Sequence, residues 1–256
     1  MTQAVETLEG WYALHDVRFF DRSSWEGLDE DERREVLEEA SAFLSRCETV
    51  EDAPEGSSAL DRVLGHKGDL LLLHLRPTLD DMHRLEREMD RLALSRFLIR
   101  SDSFVSVVEM SQHGAGAPDD DEEEIPFEEL PEWVQGRLKP KIPEGMEHIC
   151  FYPMDKRRGE EVNWFTLSPG ERAELMEAHG TTGRKYAGKI LQMITGAMGL
   201  DDWEWGVTLF AHDPLQFKKL VYEMRFDRVS ALYADFGPFY TGIRLRAGEL
   251  GEELAV

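Results

Sequence analysis

The stretch His148–Lys189 concentrates the residues whose types and spacing could do chemistry. An apolar run from His148 to Met154 ends in a charged cluster, Asp155–Arg158, and His179 follows further along. A histidine near the end of a helix can project its ring past the helix and into a cavity, where it can bind a metal. It is more often a surface residue that complements the helix dipole. The pattern alone therefore leaves both interpretations open.

The same region is a basic island in an acidic chain. Residues 137–189 hold ten lysines and arginines against eight acidic residues, while the whole chain has a net charge of −23. A locally basic segment in such a chain indicates a site for an anionic small ligand. The alternative is a patch that forms intramolecular ion pairs, and charge alone does not decide between the two.

Helix and strand signals place these residues. The apolar run before the charged cluster is typical of a strand. Ser168 provides a hydroxyl cap, Pro169 stands at the first helical position and Glu171 completes a capping box, so a helix is predicted to begin at Pro169. Gly180 is predicted to end this helix, which leaves His179 on its last turn.

Composition excludes several classes of protein. The 52 acidic and 29 basic residues weigh against a nucleic-acid partner, because most of the surface would repel phosphates. The sequence has no run of eighteen apolar residues and no basic, apolar leader pattern, which predicts a cytoplasmic protein with no membrane association. Cys47 and Cys150 match no metal motif and are interpreted as reduced structural thiols.

The chain contains an internal repeat. An offset of 139 residues matches Trp25 to Trp164 and Glu32-Arg33 to Glu171-Arg172, and an offset of 135 matches a later block. Two blocks in the same order at nearly the same offset predict a duplicated domain. The site belongs to the second half, because Ala40 stands where His179 would lie in the first.

Each half is predicted to contain short strands separated by amphipathic helices, as in a ferredoxin-like unit. The fold class is therefore α+β, with duplicated ferredoxin-like domains that form a dimeric α+β barrel. The predicted strands are Trp11–Arg18, Leu70–Leu75, Phe104–Met110, Ile149–Met154, Trp205–Ala211 and Phe239–Leu245. The predicted helices are Asp29–Arg46, Leu79–Leu94, Pro169–Ala178, Arg184–Thr195 and Pro214–Arg225.

The predicted domain boundaries follow the repeat. Residues 1–112 form the first half, residues 113–143 an acidic linker and residues 144–256 the second half, which carries the site. The linker contains GAGAP and the acid run Asp119–Glu124, whose like charges repel and favour a solvated segment.

A family resemblance rests on motifs spread along nearly the whole chain. It starts with LEGWYALHDVR at Leu8 and is densest in the second half, in FYPMDKRR, LMEAHG, TGRKYAGK, EWGVTLF and DPLQFKKLVYEMRFD. These motifs closely resemble the coproheme decarboxylases of the chlorite dismutase-like superfamily, in the form found in Gram-positive bacteria. The resemblance implies a duplicated ferredoxin-like barrel, commonly assembled as a homopentamer. It also implies an oxidoreductase that binds iron coproporphyrin III (coproheme) and uses hydrogen peroxide to convert two propionates to vinyl groups, giving haem b. A handover of porphyrin with ferrochelatase is a further implied partnership.

The resemblance also implies roles for individual residues. The proximal iron ligand falls on His179, and neutral imidazole suits haem iron. Tyr152 matches a redox relay whose radical takes hydrogen from a propionate β-carbon before CO₂ leaves. Lys156 matches a residue that positions a propionate and supplies a proton. The remaining implied contacts with the porphyrin and its propionates are Arg137, Met154, Arg184, Gln192 and Ser230.

Gln192 separates the subfamilies. Chlorite dismutases have an arginine on the distal side of the iron, where this sequence has an amide that can orient peroxide but lacks the charge to hold a chlorite-derived anion. Two alternatives remain beside the decarboxylase: a haem carrier or sensor on the same fold, and chlorite dismutation, which Gln192 disfavours.

Overall fold

The computed structural model describes residue 4 and residues 6–111 and 126–254. Its strands are β1 Thr7–Phe20, β2 Ser57–Val63, β3 Leu70–Arg76, β4 Leu98–Ser111, β5 His148–Lys156, β6 Ile190–Gly196, β7 Trp205–Ala211, β8 Ala234–Phe236 and β9 Tyr240–Leu245. Its helices are α1 Arg22–Trp25, α2 Glu30–Glu48, α3 Leu79–Met89, α4 Glu132–Leu138, α5 Pro169–Arg184, α6 Leu215–Met224, α7 Arg228–Tyr233 and α8 Leu250–Leu254. The predicted α+β class is confirmed. GAGAP and the acid run of the predicted linker lie outside the described residues.

The chain folds as two compact units. The N-terminal unit comprises Trp11–Ser106 and Tyr240–Val256, and the C-terminal unit comprises Met1–Gly10 and Val107–Phe239. In the N-terminal unit, antiparallel pairing joins β3 to β1 and β2, and β2 to β9. In the C-terminal unit it joins β5 to β7 and β8, and β6 to β7 and the end of β4. Each unit therefore has antiparallel strands and helices of its own.

Helix α2 supplies one side of the core of the N-terminal unit. Asp29 caps it and exchanges hydrogen bonds with Glu32 in a capping box, an arrangement that contributes about 1 kcal/mol. Its buried residues recur every three or four positions, which places them on one side of the helix. They are Val36, Ala40, Phe43, Leu44 and Cys47. Together with apolar residues of β2, β3 and α8, this side forms one continuous core.

The core of the C-terminal unit lies between β5–β7 and α6. Cys150 and Tyr152 of β5 join Val207 and Leu209 of β7 against Phe217 of α6 and its neighbours. These strand residues alternate with residues on the opposite face, as side chains do in any strand. The face of β5 that carries Tyr152 is therefore the face covered by helices.

Two expectations for the segment after His179 are wrong. Helix α5 does not end at Gly180 but continues to Arg184, with Lys185 as its C-cap. Gly180 keeps helical geometry, and the Thr181 hydroxyl donates to the Glu177 carbonyl at 3.0 Å within the helix. His179 is thus more than one turn from the end of the helix, so the helix C-terminus does not explain its position.

The predicted helix Arg184–Thr195 is also wrong. Arg184 closes α5, and Ile190–Gly196 is the strand β6, paired along its whole length with β7. The run ILQMIT contains two isoleucines and a threonine, which fit a pleated surface. Its apolar spacing is too short to distinguish a strand from a helix by period alone.

Strand β2 was absent from the sequence prediction. Asp61 and Arg62 interrupt its apolar pattern, yet the strand pairs on both sides, with β3 and with β9. Asp61 is fully buried and accepts a hydrogen bond from Arg244 Nε at 3.1 Å. In a sequence, adjacent charged residues are typical of a surface loop. Only the folded structure shows that the Asp61 charge is buried and paired across strands.

Two histidines are buried in the N-terminal unit. His15 lies on β1, and His74 lies on β3, where its Nδ1 is 2.9 Å from the Ser58 hydroxyl. Burial lowers the pKa of each from 6.5 to about 3, because a charged imidazole loses its hydration inside the protein. The folded protein therefore holds both rings neutral at pH values where an unfolded chain protonates them.

Stability is therefore expected to fall as the pH drops below about 6.5. Protons bind the unfolded chain first, so two such histidines lower the free energy of unfolding by about 2–3 kcal/mol between pH 7.5 and 5.5. Urea denaturation across this range measures the slope. His74→Gln should remove about half of it, whereas the exposed His66→Gln should leave it unchanged. Equal slopes for wild type and His74→Gln would contradict this assignment.

Candidate functional site

Strand β5 presents a row of predicted site residues on one face. Tyr152, Met154 and Lys156 are two residues apart in sequence, so they project to the same side of the strand. Tyr152 and Met154 belong to the core beneath α6. Lys156, at the end of the strand, reaches over the ring of Trp164, with Nζ 4.5 Å from the ring centroid.

Gln192 of β6 lies on the same face. It pairs with Leu209, which on its other side pairs with Cys150 of β5. Residues directly opposite in an antiparallel ladder share a face, so Gln192 projects with Cys150 and Tyr152. Its side chain is exposed and lies two strands away from β5, roughly 10 Å.

His179 projects from α5 towards α7. Its Nδ1 lies 3.0 Å from Asp227 Oδ2, and its side chain is 28% exposed. Burial lowers the pKa of His179, and the Asp227 carboxylate partly opposes that shift. A neutral ring that donates Nδ1–H to the carboxylate keeps the lone pair of Nε2 available as a metal ligand.

Asp227 connects three parts of the site and was not identified from the sequence. One carboxylate oxygen accepts the backbone N–H groups of Val229 and Ser230, which caps α7. The other accepts the Ser230 hydroxyl at 3.1 Å and contacts His179. The motif Asp-Arg-Val-Ser predicts a helix cap. Nothing local in the sequence signals a histidine 48 residues earlier.

Lys156 is electrostatically coupled to the same network. Burial lowers its pKa from 10.5 to about 8, and the carboxylates of Asp227 and Glu204 resist the shift. The charge of Lys156 in turn helps to lower the pKa of His179. Lys156, His179 and Asp227 therefore lie within electrostatic range of one another, and Lys156 can gain or lose a proton near neutral pH.

Tyr152 is a buried phenol held between aromatic rings. Its ring stacks on Phe239 with centroids 4.3 Å apart and lies at a tilt to Phe236 at 5.9 Å. Burial raises the pKa of Tyr152, so the phenol keeps its proton. No hydrogen bond from its hydroxyl to another described residue is present, which leaves the O–H available to a ligand.

The tyrosine cluster and the histidine helix meet at α6. Met224 of α6 packs in the cluster that contains Tyr152. A Cβ added at Gly183, one turn after His179, would lie 3.4 Å from Met224 Cε. The turn of α5 that follows His179 thus lies beside Met224, which belongs to the cluster around Tyr152.

Arg184 and Arg137 make no hydrogen bond or ion pair with the residues of this network. Arg184 is exposed and donates from Nη2 to Thr181 Oγ1 at 2.6 Å along its own helix. Arg137, on α4, is exposed and makes no hydrogen bond or ion pair with another described residue. The structure therefore places Tyr152, Met154, Lys156 and Gln192 on one sheet face and joins His179 and Ser230 through Asp227. It leaves two guanidinium groups at the surface.

The charged cluster after β5 is partly neutralised. Arg157 pairs with Asp235 at 2.9 Å, and Arg158 lies 3.5 Å from Glu204. Intramolecular ion pairs thus account for part of the basic island. Lys156 lies over Trp164 instead, forms no ion pair with another described residue, and remains available to an anionic ligand.

Comparisons with known proteins identify the family of the chain. The chlorite dismutase family model matches residues 23–245. The chain belongs to the chlorite dismutase family. Within that family, it is 45% identical to a coproheme decarboxylase of Oceanobacillus iheyensis over all of both chains. It is 48% identical to one from Thermus thermophilus, over 94% of this chain and 92% of the relative. The resemblance found in the sequence is confirmed.

Solved structures of the family share the fold. A haem-binding protein from Thermus thermophilus superposes with a TM-score of 0.89 at 46% identity, covering 100% of this chain and 99% of that one. A mutant chlorite dismutase from Candidatus Nitrospira defluvii superposes with a TM-score of 0.74 at 17% identity, with 97% of each chain covered. The second comparison establishes the fold alone.

Asp227 is expected to set the tautomer of His179. In Asp227→Ala the Nδ1–H loses its acceptor and the ring shifts towards the Nε2–H form that free imidazole prefers, while loss of the cap lowers stability by about 1 kcal/mol. ¹⁵N chemical shifts of the histidine ring in the apoprotein report the tautomer. Asp227→Asn keeps one oxygen for the cap but places an NH₂ donor where Oδ2 faces Nδ1, so it should shift the tautomer as Asp227→Ala does while it preserves the cap. An unchanged tautomer in Asp227→Ala would show that the contact does not control the ring.

Proposed function

We propose that this chain is a coproheme decarboxylase that uses hydrogen peroxide to convert two propionates of iron coproporphyrin III to vinyl groups, giving haem b. The observation that carries the proposal is the His179–Asp227 pair, with Lys156 in electrostatic range and the free phenol of Tyr152 on the same strand face as Lys156. Relatives that are 45–48% identical over nearly the full chain bear this name.

The donor groups fit an iron porphyrin with carboxylate arms. A single imidazole with a free Nε2 is the protein ligand that haem iron takes, and a carboxylate behind the ring raises its basicity. Lys156 is a donor for propionates, and the Ser230 hydroxyl, which donates to Asp227 in this structure, would become one by turning away from that carboxylate. Exposed Arg184 and Arg137 are guanidinium groups that bind carboxylates well. When bound, an iron porphyrin would supply oxidising equivalents from peroxide.

Tyr152 is proposed to relay that oxidation to the propionate. Its raised pKa keeps it a phenol, so an electron and a proton leave it together and the resulting radical takes hydrogen from a propionate β-carbon. The stack on Phe239 fixes the plane of the ring. The transferred hydrogen restores the phenol. The β-carbon radical would then lose one further electron to the oxidising equivalents that the bound cofactor supplies from peroxide, and the bond to the carboxylate breaks to release CO₂ and leave a vinyl group.

The other residues are proposed to bind and orient the arms. Lys156 holds the carboxylate that reacts and supplies a proton, which its pKa of about 8 permits. Met154 lines the pocket beside Tyr152, and Arg137, Arg184 and Ser230 hold further propionates. Gln192 orients peroxide through its uncharged amide, which lacks the charge that chlorite chemistry needs.

We also infer that the chain is a duplicated ferredoxin-like protein that forms a dimeric α+β barrel. With β2 and β6 included, β1 to β4 and β5 to β9 both follow the order β-α-β-β-α-β when the short α1, α7 and β8 are set aside. The inferred boundaries are residues 1–112, a linker at 113–143, and residues 144–256. We further propose a cytoplasmic homopentamer that exchanges porphyrin with ferrochelatase. No helix in residues 6–111 or 126–254 meets the length and hydropathy needed to cross a membrane.

Mass spectrometry of the porphyrin tests the reaction. When wild-type protein loaded with coproheme is titrated with peroxide, each porphyrin should lose two CO₂. Tyr152→Phe should bind coproheme but leave the porphyrin intact, and His179→Ala should weaken iron ligation. A porphyrin that the wild-type protein leaves intact would refute the proposed decarboxylase activity. If Tyr152→Phe keeps full function, a haem carrier or sensor is the better interpretation, and sustained O₂ release from chlorite would favour chlorite dismutation.

The affinity for coproheme is expected to fall as the pH rises through about 8. Lys156 is charged below its pKa of about 8 and neutral above it, so its ion pair with a propionate weakens in alkali, by roughly tenfold in affinity. Absorbance titrations of the apoprotein from pH 6.5 to 9.5 measure the profile. Lys156→Gln should bind weakly throughout and lose the step at pH 8, whereas Lys189→Gln, an exposed lysine, should keep it. A step that survives in Lys156→Gln would assign the proton to another group.

A further inference from the structure

The ladder between β5 and β7 ends before it reaches Lys156, the last candidate site residue on β5. Its last pair is Met154 with Trp205, yet Lys156 lies two residues beyond that pair. On its other edge this end of β5 is paired, because Asp155 and Lys156 lie opposite Asp235 and Ala234 of β8. A shift of one residue would turn a side chain to the opposite face. The edge towards β7 therefore needs a restraint of its own to keep Lys156 in phase with Tyr152.

Glu204, the residue before β7, provides this restraint. The Lys156 N–H donates to Glu204 Oε2 at 2.8 Å, and the Glu204 N–H donates to Asp155 Oδ1 at 2.7 Å. The two bonds run in opposite directions between the same segments and extend the ladder through side chains. Glu204 Oε1 also faces Arg158 Nη1 at 3.5 Å.

Burial of the Glu204 side chain makes its hydrogen bond with the Lys156 N–H specific. The Glu204 side chain is only 8% exposed. The backbone carbonyl of Glu204 also accepts the N–H of Ala197, just after β6. A buried carboxylate has lost its hydration and must regain it through such bonds. The glutamate therefore holds β5, β6 and β7 together at the point where their regular pairing stops.

We propose that Glu204 is a positioning residue that restrains the β7 edge of this strand end and, together with the pairing to β8, keeps Lys156 on the Tyr152 face of β5. The proposal rests on the role of Lys156 in the proposed function. It assigns Glu204 no contact with the substrate, because its oxygens are engaged by the Lys156 backbone and by Arg158. The consequence is that an acceptor atom at this place, more than its charge, decides where the lysine projects.

Hydrogen exchange in the apoprotein tests the restraint without any porphyrin. Glu204→Ala should speed exchange of the Lys156 amide by about tenfold or more, as loss of a buried hydrogen bond predicts, while Glu204→Gln keeps a carbonyl acceptor and should stay close to the wild type. Glu160→Ala, an exposed glutamate in the following loop, is the matched control. Should Glu204→Ala fail to fold, Asp155→Ala removes the reciprocal bond and should loosen the same amide region.

Turnover tests whether the restraint acts through Lys156. Glu204→Ala should lower kcat by roughly tenfold or more, Glu204→Gln should restore it, and the Soret band of the coproheme complex should not move, because His179 lies on another element. In a Lys156→Gln background, Glu204→Ala should lower kcat no further.

The outcomes separate the two proposals. Unchanged amide exchange in Glu204→Ala and Asp155→Ala, or equal losses of turnover in Glu204→Ala and Glu204→Gln, would overturn the positioning role. A further loss in the Lys156→Gln background would overturn it as well. A wild-type protein that does not decarboxylate coproheme would refute the proposed function instead, and the exchange experiment would still decide on the restraint.

Discussion

The antiparallel register of β5, β7 and β6 is the constraint on which the candidate site depends. It aligns Tyr152 with Val207 and Ile194, and Cys150 with Leu209 and Gln192, in rows across three strands. Because the side-chain period of a strand is two, a slip of one residue would turn the phenol and the amide to the opposite face. Helix α6 packs on the face that carries Tyr152. The same register that buries the core therefore selects which residues face α6.

Electrostatics then distinguishes the residues that the register brings together. In a chain of net charge −23, Arg157 and Arg158 have acidic partners, whereas Lys156 is drawn into a partly buried position over Trp164. Asp227 serves two purposes with one carboxylate, since it caps α7 and orients the ring of His179. A group that is needed for the fold of α7 thus also fixes the tautomer of the proposed iron ligand.

The sequence predicted what local chemistry determines. The Ser168 capping box is present with both of its hydrogen bonds, and the strand around Tyr152 is where its apolar run predicts. Interpretation failed where tertiary contacts override local signals. Gly180 resembles a helix stop, but α5 continues through it, and the run around Gln192 is apolar enough for a helix although β7 holds it as a strand. Family motifs pointed to His179, Tyr152 and Lys156. Asp227 and Glu204 act through segments distant in sequence, so no local pattern could reveal them.

A crystal structure of the protein with bound coproheme would test the central claim most directly. The account predicts one porphyrin whose iron is bound by Nε2 of His179 while a propionate carboxylate lies within hydrogen-bond reach of the Tyr152 hydroxyl. An iron bound by a different side chain, or a phenol that faces a separate cavity, would contradict it.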